Sequence, residues 1–194
     1  MTLADAIKPS EKSYPDILYD VLLIGFGFIF IAISAQIAAR LPFTPVPISA
    51  QTLSVLLIGV LLGSKRGTLC VLLYLIAGFA GAPLFANGMG GPLYFFGPTG
   101  GYLIGFIPAV FLTGWLAEKG FDRTFFKNFL ILLIGNLAIY IVGLLWLIPF
   151  AGFDKILHIG FYPFIIGDSI KIFLAIWLFP TIWKMLPHPK TNNV

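Results

Sequence analysis

From Gly67 to Ala117 the chain runs through 51 consecutive residues without one Asp, Glu, Lys, Arg or His. No soluble fold can hide so long a stretch behind a charged exterior, so lipid or neighbouring protein must cover it. The rest of the sequence agrees: 59% of the 194 residues are hydrophobic, 10% are charged, and the mean hydropathy is +0.98. That is far more apolar material than one water-soluble core needs. In hydrocarbon every backbone polar group must be paired internally, which leaves helices or closed barrels. Continuous apolar runs, rather than strict alternation, select helices.

A hydrocarbon core about 30 Å thick takes roughly 20 residues per helix. Six spans are expected, over residues 17–39, 48–63, 68–81, 99–118, 125–150 and 161–185. The second and third are short. The predicted fold is therefore an all-α integral membrane protein, a bundle of six transmembrane helices forming one membrane domain over 1–194. A polar segment, 1–16, would precede it and a short tail, 186–194, would follow. With both termini on one side, that side holds Lys8, Lys12, Lys65, Arg66, Lys119, Arg123, Lys127, Lys184 and Lys190, and the other only Arg40 and Lys155. Nine against two makes the richer side cytoplasmic. The net charge of +4 is thus explained by short basic loops and calls for no nucleic acid. Asp5, Glu11 and Asp16 make the N-terminal segment too acidic for a cleaved signal peptide. The lone Cys70 has no partner for a disulfide and reads as packing.

The outer connections are unlike the brief charged inner turns. "RLPFTPVPIS", residues 40–49, has three prolines in six positions, which hold it extended. "GAPLFANGMGGPLYFFGPTGGYLIG", residues 81–105, carries eight glycines and three prolines. With Phe85, Tyr94, Phe95 and Phe96 in it, this loop between the third and fourth helices should be long but ordered.

Inside the last span, "GDSIKIFLAIW" places Asp168 and Lys171 three residues apart, on one helix face. Each ionised group costs about 2.5–3.5 kcal/mol at mid-bilayer on insertion scales, so such residues rarely face lipid and commonly mark a site. The pair could instead tie the last helix to its own bundle. At about 1.5 Å per residue, Asp168 lies roughly 10 Å and Lys171 roughly 15 Å in from an outer start near Phe161, in the half-membrane to which the Gly-rich loop opens. A pocket there would offer a carboxylate, an ammonium and the amide of Asn87, walled by Phe85, Tyr94, Tyr102 and Tyr162. Those groups suit a small organic solute with donors, acceptors and an apolar body. A single carboxylate does not suit an inorganic cation, and His158 and His188, far apart and without cysteines, give no metal site. The glycines of 97–105 precede a membrane helix rather than linking strand to helix, so they are no dinucleotide fingerprint. No second set of acid, base or nucleophile accompanies the pair, which argues against an enzyme. Two ionisable groups of opposite sign suit binding better than a proton relay. An autonomous small-solute carrier is the other class of reading.

Four blocks, "PFTPVPISAQTLSVLLIGVLLG", "YLIAGFAGAPLFANGMGG", "GPTGGYLIGF" and "PFIIGDSIKIFLA", occur in that order. Together they resemble the biotin-specific substrate-binding (S) component of energy-coupling factor (ECF) transporters, the BioY family. The likeness runs from about Ala35 to Ala175. It implies a six-helix membrane bundle in the cytoplasmic membrane that binds biotin at its outer side. Biotin would be the transported ligand, with no cofactor. Asp168 would accept from a ureido N–H, Lys171 would donate to the ureido carbonyl or to the valerate carboxylate, and Asn87 would supplement either end. The nearest alternative is an S component for a different vitamin. No G-x-x-x-x-G-K-[ST] loop is present, so the resemblance further implies partners: a transmembrane coupling (T) subunit and two ATPase subunits. Small residues four apart let helices approach closely in lipid, and Ala35 and Ala39 are the expected docking surface.

Overall fold

The computed structural model describes residues 2–7 and 16–185. Most of the expected polar flanks, with Lys8, Lys12 and Lys190, lies outside the described residues. Eight α-helices are described: α1 (Leu3–Ile7), α2 (Asp16–Gln36), α3 (Gln51–Phe79), α4 (Pro92–Phe95), α5 (Gly100–Glu118), α6 (Phe125–Ala151), α7 (Ile156–Gly160) and α8 (Tyr162–Met185). A two-residue ribbon pairs β1 (Ala38–Ala39) with β2 (Ile48–Ser49) in antiparallel fashion. The protein is a multi-pass all-α membrane bundle, and among the described residues five stretches are long and apolar enough to cross a bilayer.

The helix α3 is not straight. A 29-residue rod would hold residues 51 and 74 about 35 Å apart, yet the side-chain amide of Gln51 donates to the hydroxyl of Tyr74. The chain reverses at Gly63, whose φ of 86° and ψ of 178° only glycine adopts readily. Residues 51–62 and 64–79 are therefore antiparallel legs, corresponding to the two short spans read from the sequence. Glu118, at the end of α5, seals the reversal by accepting from the Ser64 N–H at 2.7 Å and its hydroxyl at 2.8 Å. A carboxylate there also meets the positive end of the second leg.

This end, called inner after the charge bias, is closed by more than the loops. Residues 2–7 are not a free polar segment: α1 tucks under the bundle with Leu3 and Ala4 buried. Arg66 holds it there, reaching Asp5 at 2.6 Å and Asp20 of α2 at 2.8 Å. Farther round, the Trp183 indole of α8 donates to the buried Asp122 carboxylate. Pro180 in α8 has no N–H for the carbonyl of Ile176. Asn128 of α6 takes that carbonyl instead, at 3.1 Å, and the carbonyl of Ala175 at 3.3 Å.

The first leg of α3 has only 12 residues, about 18 Å of helix, so its start at Gln51 lies deep below the outer surface. The space above it is roofed by the proline segment. The β1–β2 ribbon pins both ends of residues 40–47, Val46 is buried beneath, and the Thr44 hydroxyl donates to the Ile159 carbonyl at 2.6 Å. The Gly-rich loop is ordered, as expected. Phe85 is fully buried against Gly78, its ring stacked on Tyr94 with centroids 5.6 Å apart. The Trp146 indole fixes the carbonyl of Gly97 at 3.1 Å.

Candidate functional site

Two polar side chains of α8 meet two of α6 and the start of α3 at the depth where the short leg begins. Lys171 Nζ lies 2.8 Å from Asp168 Oδ1, 2.8 Å from the Ser49 carbonyl and 3.1 Å from Thr52 Oγ1. An ammonium has three donors, and all are used. The hydroxyl of Tyr140 donates to Asp168 Oδ2 at 2.5 Å, the amide of Asn136 reaches the same oxygen at 3.3 Å, and Thr52 Oγ1 lies 3.5 Å from Oδ1. The carboxylate is thereby saturated too. The pair is electrically neutral, 94% of Asp168 is shielded, and the Lys171 side chain is mostly buried.

The protein supplies every partner of the pair itself, because α6 and the 49–52 turn bring hydroxyl, amide and carbonyl groups to it. Beside the pair, on the outer side, is a narrow cavity of about 460 Å³ including its mouth. Gln51, Thr52, Thr99, Tyr102, Phe106 and Phe164 line it with the two charged residues. It shares Pro47 and Thr99 with a wider, open outer cavity of about 1230 Å³, lined also by Arg40, Thr44, Met89 and Tyr94. Together the two form a path from the outer face to the pair, polar at the bottom and apolar along its walls. A third hollow, about 510 Å³, lies between α6 and α8 on the other side of Asp168.

The expected site residues divide. Asp168, Lys171 and Tyr102 line the inner cavity and Tyr94 the outer one. Tyr102 is held by its hydroxyl, which donates to the Gly160 carbonyl at 2.7 Å, and by contact with Gly143, where a Cβ would come within 2.6 Å of its ring. Asn87 lines none of these cavities. It is exposed at the loop tip with φ 59° and ψ 34°, the left-handed conformation that Asn tolerates best after glycine, which suits it to the turn. Phe85 is the loop's internal anchor, not a wall. Tyr162 is half exposed and packs on His158, away from the cavities. The docking pair is also corrected: Ala35 is fully buried in the chain's own core, and α2 ends at Gln36, which leaves Ala39 off the helix in β1. The open face of α2 carries large apolar side chains such as Leu22, Phe26 and Ile29.

The BioY family profile matches residues 8–188. The chain belongs to the BioY family. The probable biotin transporter BioY of Pyrococcus horikoshii is 38% identical over 157 residues, covering 81% of this chain and 91% of that one. Biotin transporter BioY2 of Lactococcus lactis is 34% identical over 176 residues, with 88% and 93% covered. A crystal structure of the S-component for biotin from an ECF-type ABC transporter matches this fold with a TM-score of 0.74 at 28% identity, over 89% of this chain and 95% of that chain.

Thr52, Asn136, Tyr140 and Arg40, which each line at least one of the three cavities of this member of the BioY family, were not singled out as site residues from the sequence. Asn136 and Tyr140 had a signal: two polar groups at i and i+4 share one face of the otherwise apolar run "IGNLAIYIVG". Thr52 and Arg40 had none, since their positions depend on how deep the short leg starts and on the ribbon that folds residues 40–47 back.

Proposed function

We propose that this chain binds biotin from the outer side and serves its uptake as the substrate-specific S component of an ECF-type transporter, a binding component and not an enzyme. The observation that carries the reading is the neutral, self-saturated Asp168–Lys171 pair at the floor of an outward-opening, aromatic-walled cavity in a BioY-family chain. A fixed zwitterion with no net charge favours a neutral head bearing both donors and acceptors. Biotin's cyclic urea is such a group. Its N–H would take Asp168 Oδ1 in place of Thr52, whose contact at 3.5 Å is the longest of the set, and its carbonyl would accept from the hydroxyl so released. Phe106, Phe164 and Tyr102 would pack around the fused rings. Preformed polar geometry costs nothing to organise at the moment of binding, which favours affinity.

A transmembrane coupling subunit and two ATPases would supply the energy, since the sequence carries no phosphate loop. The test is a screen of radiolabelled vitamins against the purified chain in detergent, without other subunits. Biotin should be retained, one molecule per chain, and chemically unrelated vitamins should not. Retention of another vitamin in preference to biotin, or of none by folded protein, would contradict the reading.

A further inference from the structure

Biotin's valerate tail ends in a carboxylate, and nothing at the floor of the site is free to receive it. Lys171 has spent its three donors on Ser49, Thr52 and Asp168, and the Asp168 carboxylate would repel a second anion. A tail threaded outward leaves the inner cavity past Pro47 and Thr99 and enters the wider one. The one charged side chain in the lining of that outer cavity is Arg40. Among the described residues no ion pair includes it, and its guanidinium presents paired N–H groups suited to a carboxylate. Tyr94, in the same lining, has a hydroxyl shielded from solvent that lies near Thr99 and within reach of the charge of Arg40. The prolines of residues 42–47 and the β1–β2 ribbon limit how far Arg40 can move.

We propose that Arg40 anchors the ligand's tail carboxylate at the outer cavity, with the Tyr94 hydroxyl as a second donor, and so selects a free acid over a neutral derivative. The proposal deepens the biotin-binding reading and rests on it. Biotin carries its two recognition elements at opposite ends, and the geometry assigns the neutral end to the buried neutral pair and the charged end to an exposed cation. That division spares the tail's charge from desolvation deep in the membrane.

The experiment is isothermal titration of the purified chain, wild type, Arg40→Gln and Arg40→Lys, with biotin and with its primary amide, which keeps the rings and tail but not the charge. The wild type should prefer biotin to the amide by about 10- to 100-fold, the fold-change of one charged hydrogen-bonded contact. Arg40→Gln should bring biotin down close to the level of the amide while lowering amide binding much less than biotin binding, and Arg40→Lys should recover part of the preference. Biotin affinity should fall with added salt in the wild type and not in Arg40→Gln. Equal biotin affinity in wild type and Arg40→Gln overturns the proposal. So does an equal loss for both ligands, which would mark a structural role. A wild type that binds neither ligand overturns the biotin reading itself, and the proposal with it.

Discussion

Asp168 accepts from four groups, three of them side chains on other helices, and that density decides how the site should be perturbed. The Tyr140 hydroxyl is the shortest of these contacts and comes from α6, so it links the carboxylate to the helix that faces α8. Removing it by Tyr140→Phe keeps the ring against Phe161, 4.9 Å away between centroids, and deletes one bond to a charged acceptor. Such a bond is worth about 1.5–3 kcal/mol. Thermal unfolding in detergent should show that loss of stability, with weaker biotin binding beside it, and an unchanged unfolding curve would mean that the bond carries no weight. Asp168 and Lys171 were legible because a charge in an apolar run is costly and therefore conspicuous. Asn87 is ambiguous for the converse reason. An Asn in a Gly-rich loop reads equally as a ligand contact or as the residue that best tolerates a left-handed backbone, and only the fold separates the two.

Among the elements, the hairpin of α3 does most to create the site. A continuous helix there would fill the space above Gln51 and leave no cavity. The reversal depends on Gly63, where an added Cβ would meet Glu118 Oε1 at 2.6 Å and where φ is 86°. Gly63→Ala should therefore destabilise the protein by about 2 kcal/mol or more, from backbone strain of roughly 1–3 kcal/mol and disturbance of the Glu118 seal. Gly25→Ala, in α2 with nothing within 4 Å of the added methyl, is the control, and helix propensity makes it neutral or stabilising. Thermal melts of the two variants in the same detergent compare them directly, and equal melting points would refute the role given to Gly63. The sequence announced this hairpin only as two spans too short for a bilayer. It could not show where the first leg begins, because the depth of Gln51 is set by the roof of prolines and by Val46 packing beneath it. The helix α1 was illegible for a different reason: five residues carry too little periodicity to read, and what orders them is Arg66, some sixty positions away.

Over the whole molecule, polarity is placed at two levels and nearly absent between them. The inner end is tied by Arg66, Glu118 and Asp122, and the outer half holds the Asp168–Lys171 pair under its aromatic walls. The resulting bundle is closed at the end that carries the basic bias and open at the other, where the cavities lie. Everything then depends on the pair being a binding floor and not merely a tie between helices. Equilibrium titration of biotin into the purified chain and into Asp168→Asn tests this most directly. The amide keeps the size and one acceptor but gives up the charge, so affinity should fall by about 1–3 kcal/mol while the variant stays folded. Identical affinities for the two proteins would contradict it.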